Sequence, residues 1–89
     1  MIPFAKKVYR VVSKIPLGEV RPYKWVAKKA GRPTAFRAVG QILKNNPHPL
    51  IIPCHRVIES SGKLGGYIFG KKVKKQLLNL ERQIKELMI

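Results

Sequence analysis

The chain has a single cysteine, Cys54, within the stretch Ile52-Pro53-Cys54-His55-Arg56-Val57-Ile58. A cysteine attacks as its thiolate, and a neighbouring histidine and arginine favour that form; the plainer alternative is a small apolar core residue. Pro53 interrupts regular backbone hydrogen bonding, so the chain turns where the sulfur sits. Successive residues of a strand point to opposite faces. Cys54 and His55 therefore cooperate only if the backbone bends between them or a water bridges them. A base works best when a third group orients it. Four acids are available, Glu19, Glu59, Glu81 and Glu86, and there is no aspartate. Glu19 falls in a connection, Glu59 in a turn, and Glu86 faces solvent. Glu81 follows Leu80 at the boundary of a buried helix face, where a carboxylate must be paired, and is the expected orienting group.

The elements that must position these groups follow from periodicity and breakers. Phe4, Val8, Val11 and Val12 recur at helical spacing in a first helix from Pro3 to Lys14, which Pro16 and Gly18 end. After the Glu19-Val20-Arg21-Pro22 connection, Tyr23 to Ala30 forms a short helix burying Trp25, Val26 and Ala30, stopped by Gly31. Thr34 is the expected N-cap of a helix running to Lys44, with Phe36, Val39, Ile42 and Leu43 inward and Arg37, Gln41 and Lys44 outward. Two short helices about a glycine-containing turn make a helix-turn-helix pattern, which plain core packing of a helical hairpin also produces. Leu50-Ile51-Ile52 reads as a buried apolar run, Val57-Ile58 as a short strand, and residues 64–70 as a glycine-rich loop. A last helix from about Lys71 to Met88 is expected to bury Val73, Leu77, Leu80, Ile84 and Leu87, with Lys74 facing outward, where it would serve as a phosphate-binding charge, an active-site role being the alternative.

Composition bounds the function class. Eighty-nine residues make one domain, 1–89, with no room for a second core. Nineteen Lys and Arg against four acids give a net charge of +15, which points to a polyanionic partner rather than to solubility alone. The basic residues are dispersed rather than gathered in one anchor, and no long apolar run or signal segment is present. The expectation is a cytoplasmic protein with no membrane partner. One cysteine excludes an internal disulfide, and with only His48 and His55 beside it no metal site and no cofactor are expected.

Pro53-Cys54-His55-Arg56-Val57, preceded by Arg37-Ala38-Val39-Gly40 and Asn46-Pro47 and followed by Gly65-Gly66-Tyr67 and Leu77-Leu78 through Glu81, resembles the C-terminal domain of the O6-alkylguanine DNA alkyltransferases. The ordered match runs from about Pro3 to Arg82. The resemblance implies a mainly α domain of winged helix-turn-helix type with short β elements, acting as a monomer on double-stranded DNA that contains O6-alkylguanine. It implies that Cys54 accepts the alkyl group, that His55 is the base acting through a water, and that Glu81 completes the relay. Asn46 would tie the turn beside the helix-turn-helix to the active-site segment. Arg37 would enter the duplex in place of the extruded nucleotide, and Tyr23 would help rotate that nucleotide out and donate a proton toward the guanine. Thr34, Ala35, Gln41, Lys44 and Arg56 complete the expected DNA contacts, and Pro53, Val57, Gly65, Gly66 and Tyr67 the base pocket.

The chemistry agrees with that implication. Attack on an acyl carbon makes a thioester that water clears, whereas attack on a saturated carbon makes a thioether that no second thiol is present to resolve, so turnover stops at one. Many relatives carry a further N-terminal domain, which this sequence is read as lacking. Ile68-Phe69 stands where smaller, often polar residues are common, which bears on pocket width. Two rival readings remain: a lesion binder without transfer activity, which the intact Pro53-Cys54-His55-Arg56 stretch opposes, and a basic helix-turn-helix protein with an inert thiol.

Overall fold

The computed structural model describes residues 3–88. Helix α1 spans Phe4–Ser13 and buries Val8 and Val12, one turn apart, while Lys6, Lys7 and Arg10 face solvent. Ile15 closes the same side of the core. Strand β1 (Arg21–Pro22) leads directly into α2 (Tyr23–Lys29), which buries Val26 and Ala27. The end of α2 is a Schellman turn: Gly31 N–H donates to Lys28 O, Arg32 N–H donates to Ala27 O, and Gly31 adopts φ +93°, which costs a glycine nothing.

Helix α3 spans Phe36–Lys44 and buries Val39 and Leu43. It starts one residue later than an N-cap at Thr34 would place it. Ala35 N–H turns back to Arg32 O, so Ala35 is the cap residue, Thr34 is exposed, and no side chain caps the helix. Strand β2 (Val57–Ile58) pairs in parallel with β1, Arg21 opposite Val57 and Pro22 opposite Ile58. This two-residue ladder sets the Cys54 segment beside the start of α2. Residues 50–52 are not a buried run. Ile51 is 81% exposed, Leu50 is exposed with φ 76°, and only Ile52 packs against the core.

The last helix, α4 (Lys71–Leu87), contradicts the expected burial pattern. Leu80 is 52% and Leu87 87% exposed, Val73 is exposed too, and the fully buried residue of α4 is Lys74. The inward face is Lys74, Leu77, Leu78, Glu81, Ile84 and Lys85. Polar groups of the domain, rather than its apolar core, meet this helix, so polar side chains set its rotation. Where Lys85 crosses Gly18 (φ +84°), a Cβ would lie 2.6 Å from the lysine side chain, so only glycine allows that approach.

Candidate active site

Backbone bends flank the thiol on both sides. Pro53 (φ −78°, ψ 66°) is the centre of an inverse γ-turn closed by Cys54 N–H donating to Ile52 O at 2.7 Å. Cys54–Arg56 then form one 3-10 turn, with Arg56 N–H donating to Pro53 O. The bend that Cys54 and His55 require is thus built into the chain, and neither residue lies in a strand. Cys54 is 6% exposed and lies on the wall of a cleft of about 550 Å³ that Tyr23, Gly40, Leu43, Lys44, Asn45, Gly66, Tyr67 and Ile68 also line.

His55 is 1% exposed, and its Nε2 lies 2.9 Å from Glu81 Oε2. A neutral imidazole next to a carboxylate keeps its proton on the nitrogen that faces it. Nδ1, buried and without a protein partner, is then left as the acceptor. Glu81 is held in turn by Arg56, whose Nε and Nη2 donate to its two oxygens at 3.0 and 2.8 Å while Nη1 donates to Ile15 O at 2.9 Å. Burial pushes the Glu81 carboxyl up, but the hydrogen bonds from Arg56 and His55 outweigh it and hold it below the usual glutamate range. Arg56 was expected among the DNA contacts. Its guanidinium is instead turned inward onto Glu81, where it supplies the positive charge that a neutral imidazole does not.

Asn46 is buried and braces the loop that precedes Pro53. Its Nδ2 donates to Ile52 O and its Oδ1 accepts from His48 N–H, both at 2.9 Å. Tyr23 leaves the start of α2 toward the cleft and lies against Gly65, where φ is +73° and a Cβ would come within 2.9 Å of the tyrosine oxygen. Burial, then the charges of Glu59 and Cys54, push the Tyr23 hydroxyl above the ordinary tyrosine value, which keeps it protonated and able to donate. Tyr67 meets His55 edge-on at 6.2 Å.

Sequence reasoning missed Lys74. It was expected outside, yet it is fully buried, with Nζ donating to Val57 O at 2.7 Å and Gly66 O at 3.3 Å and lying 5.9 Å from the Tyr23 ring. Burial lowers its pKa to about 8, opposed by the charges of Cys54 and Glu59. The ammonium thus ties the glycine-rich wall of the cleft to β2. A signal for it was present: Lys74 precedes Glu81 by seven residues, two helical turns, so an inward Glu81 implies an inward Lys74.

The other expected residues fall into two groups. Arg37, Gln41 and Lys44 are exposed along one side of α3, with Ala35 at its N-cap and exposed Thr34 in the turn before it, and of these Lys44 reaches the cleft. Gly66 and Tyr67 line the cleft, whereas Pro53, Val57 and Gly65 are buried and do not line it. Ile68 does line it, and Phe69 stacks edge-on against Tyr67 at 5.6 Å. Among the described residues no helix is long and apolar enough to cross a membrane, and no group of three or more His, Cys, Asp and Glu is placed to hold a metal ion.

The family described as 6-O-methylguanine DNA methyltransferase, DNA binding domain, matches residues 3–83. The chain belongs to this family. Methylated-DNA–protein-cysteine methyltransferase of Methanosarcina barkeri is 51% identical over 78 residues, covering 88% of this chain and 49% of that protein. The constitutive Bacillus subtilis protein of the same name is 47% identical over 81 residues, covering 90% of this chain and 49% of that one. The chain therefore spans about half the length of these curated relatives. Among solved structures, Mycobacterium tuberculosis OGT in complex with DNA superposes with a TM-score of 0.89 at 44% identity, over 93% of this chain and 52% of that one. S. pombe Atl1, bound to damaged DNA containing O6-carboxymethylguanine, superposes with a TM-score of 0.79 at 34% identity, over 91% of this chain and 79% of that one. The mainly α architecture with its small parallel sheet is the fold shared with these neighbours.

Proposed function

We propose that this domain repairs DNA by taking the alkyl group of O6-alkylguanine onto Cys54, once per molecule. The observation that carries the reading is the His55–Glu81 contact at 2.9 Å, which leaves the buried Nδ1 of the same ring without a protein partner, one residue along the chain from Cys54 on the cleft wall. His55 Nδ1 takes the thiol proton, directly or through a water, while Glu81, fixed by Arg56, supports the imidazolium that forms. The thiolate attacks the saturated carbon attached to O6, the carbon–oxygen bond breaks, and its electron pair leaves on the guanine. Tyr23, kept protonated by burial, donates a proton toward that base. The product is a thioether and an unmodified guanine, and the acceptor is not regenerated.

The cleft volume suits one extruded base, and extrusion costs a few kcal/mol that a side chain filling the vacated stack offsets. Arg37, exposed on α3, is the side chain assigned to that gap. Thr34, Gln41 and Lys44 on the same side hold the flanking backbone, and the net charge of +15 makes the grip salt-dependent. Incubation with duplex DNA carrying O6-methylguanine, followed by intact mass, tests the reading. One added CH2 per chain, absent in Cys54→Ser, is expected. Tight lesion binding with no mass change would replace it with a non-enzymatic lesion binder.

A further inference from the structure

Helix α2 presents two different sides. Tyr23 faces the cleft, whereas Trp25, two residues on and so about 200° round the helix, faces away from it. The solvent arc on that far side holds Lys24, Lys28, Trp25 and Lys29 and no acid. Lys24 and Lys28 are one turn apart, a like-charge spacing that weakens an isolated helix. Half-buried Trp25 packs on one side against the core and has a cation near its ring from four residues before it, in β1, and from four residues after it, on α2. The Arg21 guanidinium lies 5.4 Å and the Lys29 ammonium 5.8 Å from its ring. Arg21 is already engaged by Glu19 at 2.6 Å and by Val20 O, but among the described residues no acid is paired with Lys28 or Lys29.

We propose that this face of α2 is a second nucleic-acid surface, which takes an unpaired DNA strand. The indole stacks on a base, and Lys28 and Lys29 hold the adjoining phosphates. A strand fits because it supplies in one chain the two things the face lacks, a negative charge for each lysine and a planar ring for the indole. The base replaces the Lys29 ammonium over the ring, and the ammonium moves onto a phosphate. A duplex fits less well, since its bases are already stacked on one another. The proposal goes beyond alkyl transfer and does not require it.

Trp25 is the chain's only tryptophan, so its emission reports this face alone. The whole protein would be titrated with a lesion-free oligothymidylate while the anisotropy of the same labelled oligomer records binding. Saturable quenching that tracks binding and fades with salt is expected. In Lys28→Gln/Lys29→Gln the logarithmic salt slope should fall by about 1.4, at about 0.7 per phosphate contact on a single strand. Arg37→Ala should leave the quenching in place. Binding with the emission unmoved would overturn the proposal and leave the α3 assignment standing, because the mass test for transfer is read separately. Equal quenching by a matched duplex, or quenching lost in Arg37→Ala but kept in the double lysine variant, would also overturn it.

Discussion

Replacing Lys74 by methionine isolates the buried ammonium. Its pKa falls from 10.5 to about 8 in the folded chain, so burial in the native state costs the charged form about 3 kcal/mol. Below pH 8 both native and unfolded chains carry the proton and this cost is present in full. Between pH 8 and 10.5 the unfolded chain binds the proton and the native chain does not, so stability rises with pH. Lys74→Met abolishes that dependence. It also strips Val57 O and Gly66 O of their donor, a loss of about 1.5–3 kcal/mol for the 2.7 Å bond and less for the 3.3 Å one. At pH 7 the relief and the loss nearly cancel, and the two proteins should unfold at similar urea concentrations. At pH 10 the wild-type protein should have gained about 2.5 kcal/mol on the variant. Urea titrations followed by helical circular dichroism at pH 7, 8, 9 and 10 measure the difference, in which the other titrating groups cancel. A difference that stays flat across this range would show that Lys74 titrates as a solvated lysine and does not clamp the cleft wall.

Other substitutions separate the parts of the site. If Arg37 fills the vacated stack as proposed, Arg37→Ala should slow transfer from duplex DNA far more than from the free modified base; equal losses would contradict that role. Arg56→Met leaves the half-buried Glu81 with His55 alone and should destabilise the domain by about 3–5 kcal/mol, with Arg56→Lys recovering part of it, as denaturant midpoints would show. Gly65→Ala puts a methyl 2.9 Å from the Tyr23 hydroxyl at a φ of +73°; a loss of about 1–3 kcal/mol together with slowed transfer is expected, and unchanged stability would refute the close approach.

Much of the site was legible because it rests on short-range chemistry. Pro53 ahead of Cys54 announced a bend, and the bend is an inverse γ-turn followed by a 3-10 turn. Glu81 could be selected because only four acids exist and it alone sits at the edge of a helix face. Arg56 and Lys74 were misplaced for one shared reason. Surface is the default for a cation, and the default fails where a buried carboxylate or uncapped carbonyls offer it partners. Periodicity of the apolar residues put Leu80 and Leu87 inside and Lys74 outside, although an inward Glu81 already turned the buried face of α4 toward Lys74.

The amino-acid order by itself determined the helices, the turn at the thiol, the basic balance and the candidate nucleophile, since each follows from local propensity or from counting. Only the tertiary structure decided that Glu81 meets His55 across 26 residues of chain, that Arg56 clamps Glu81, and that a lysine closes the cleft wall. Those outcomes depend on which polar groups become neighbours once water is excluded, and sequence spacing does not encode such neighbours.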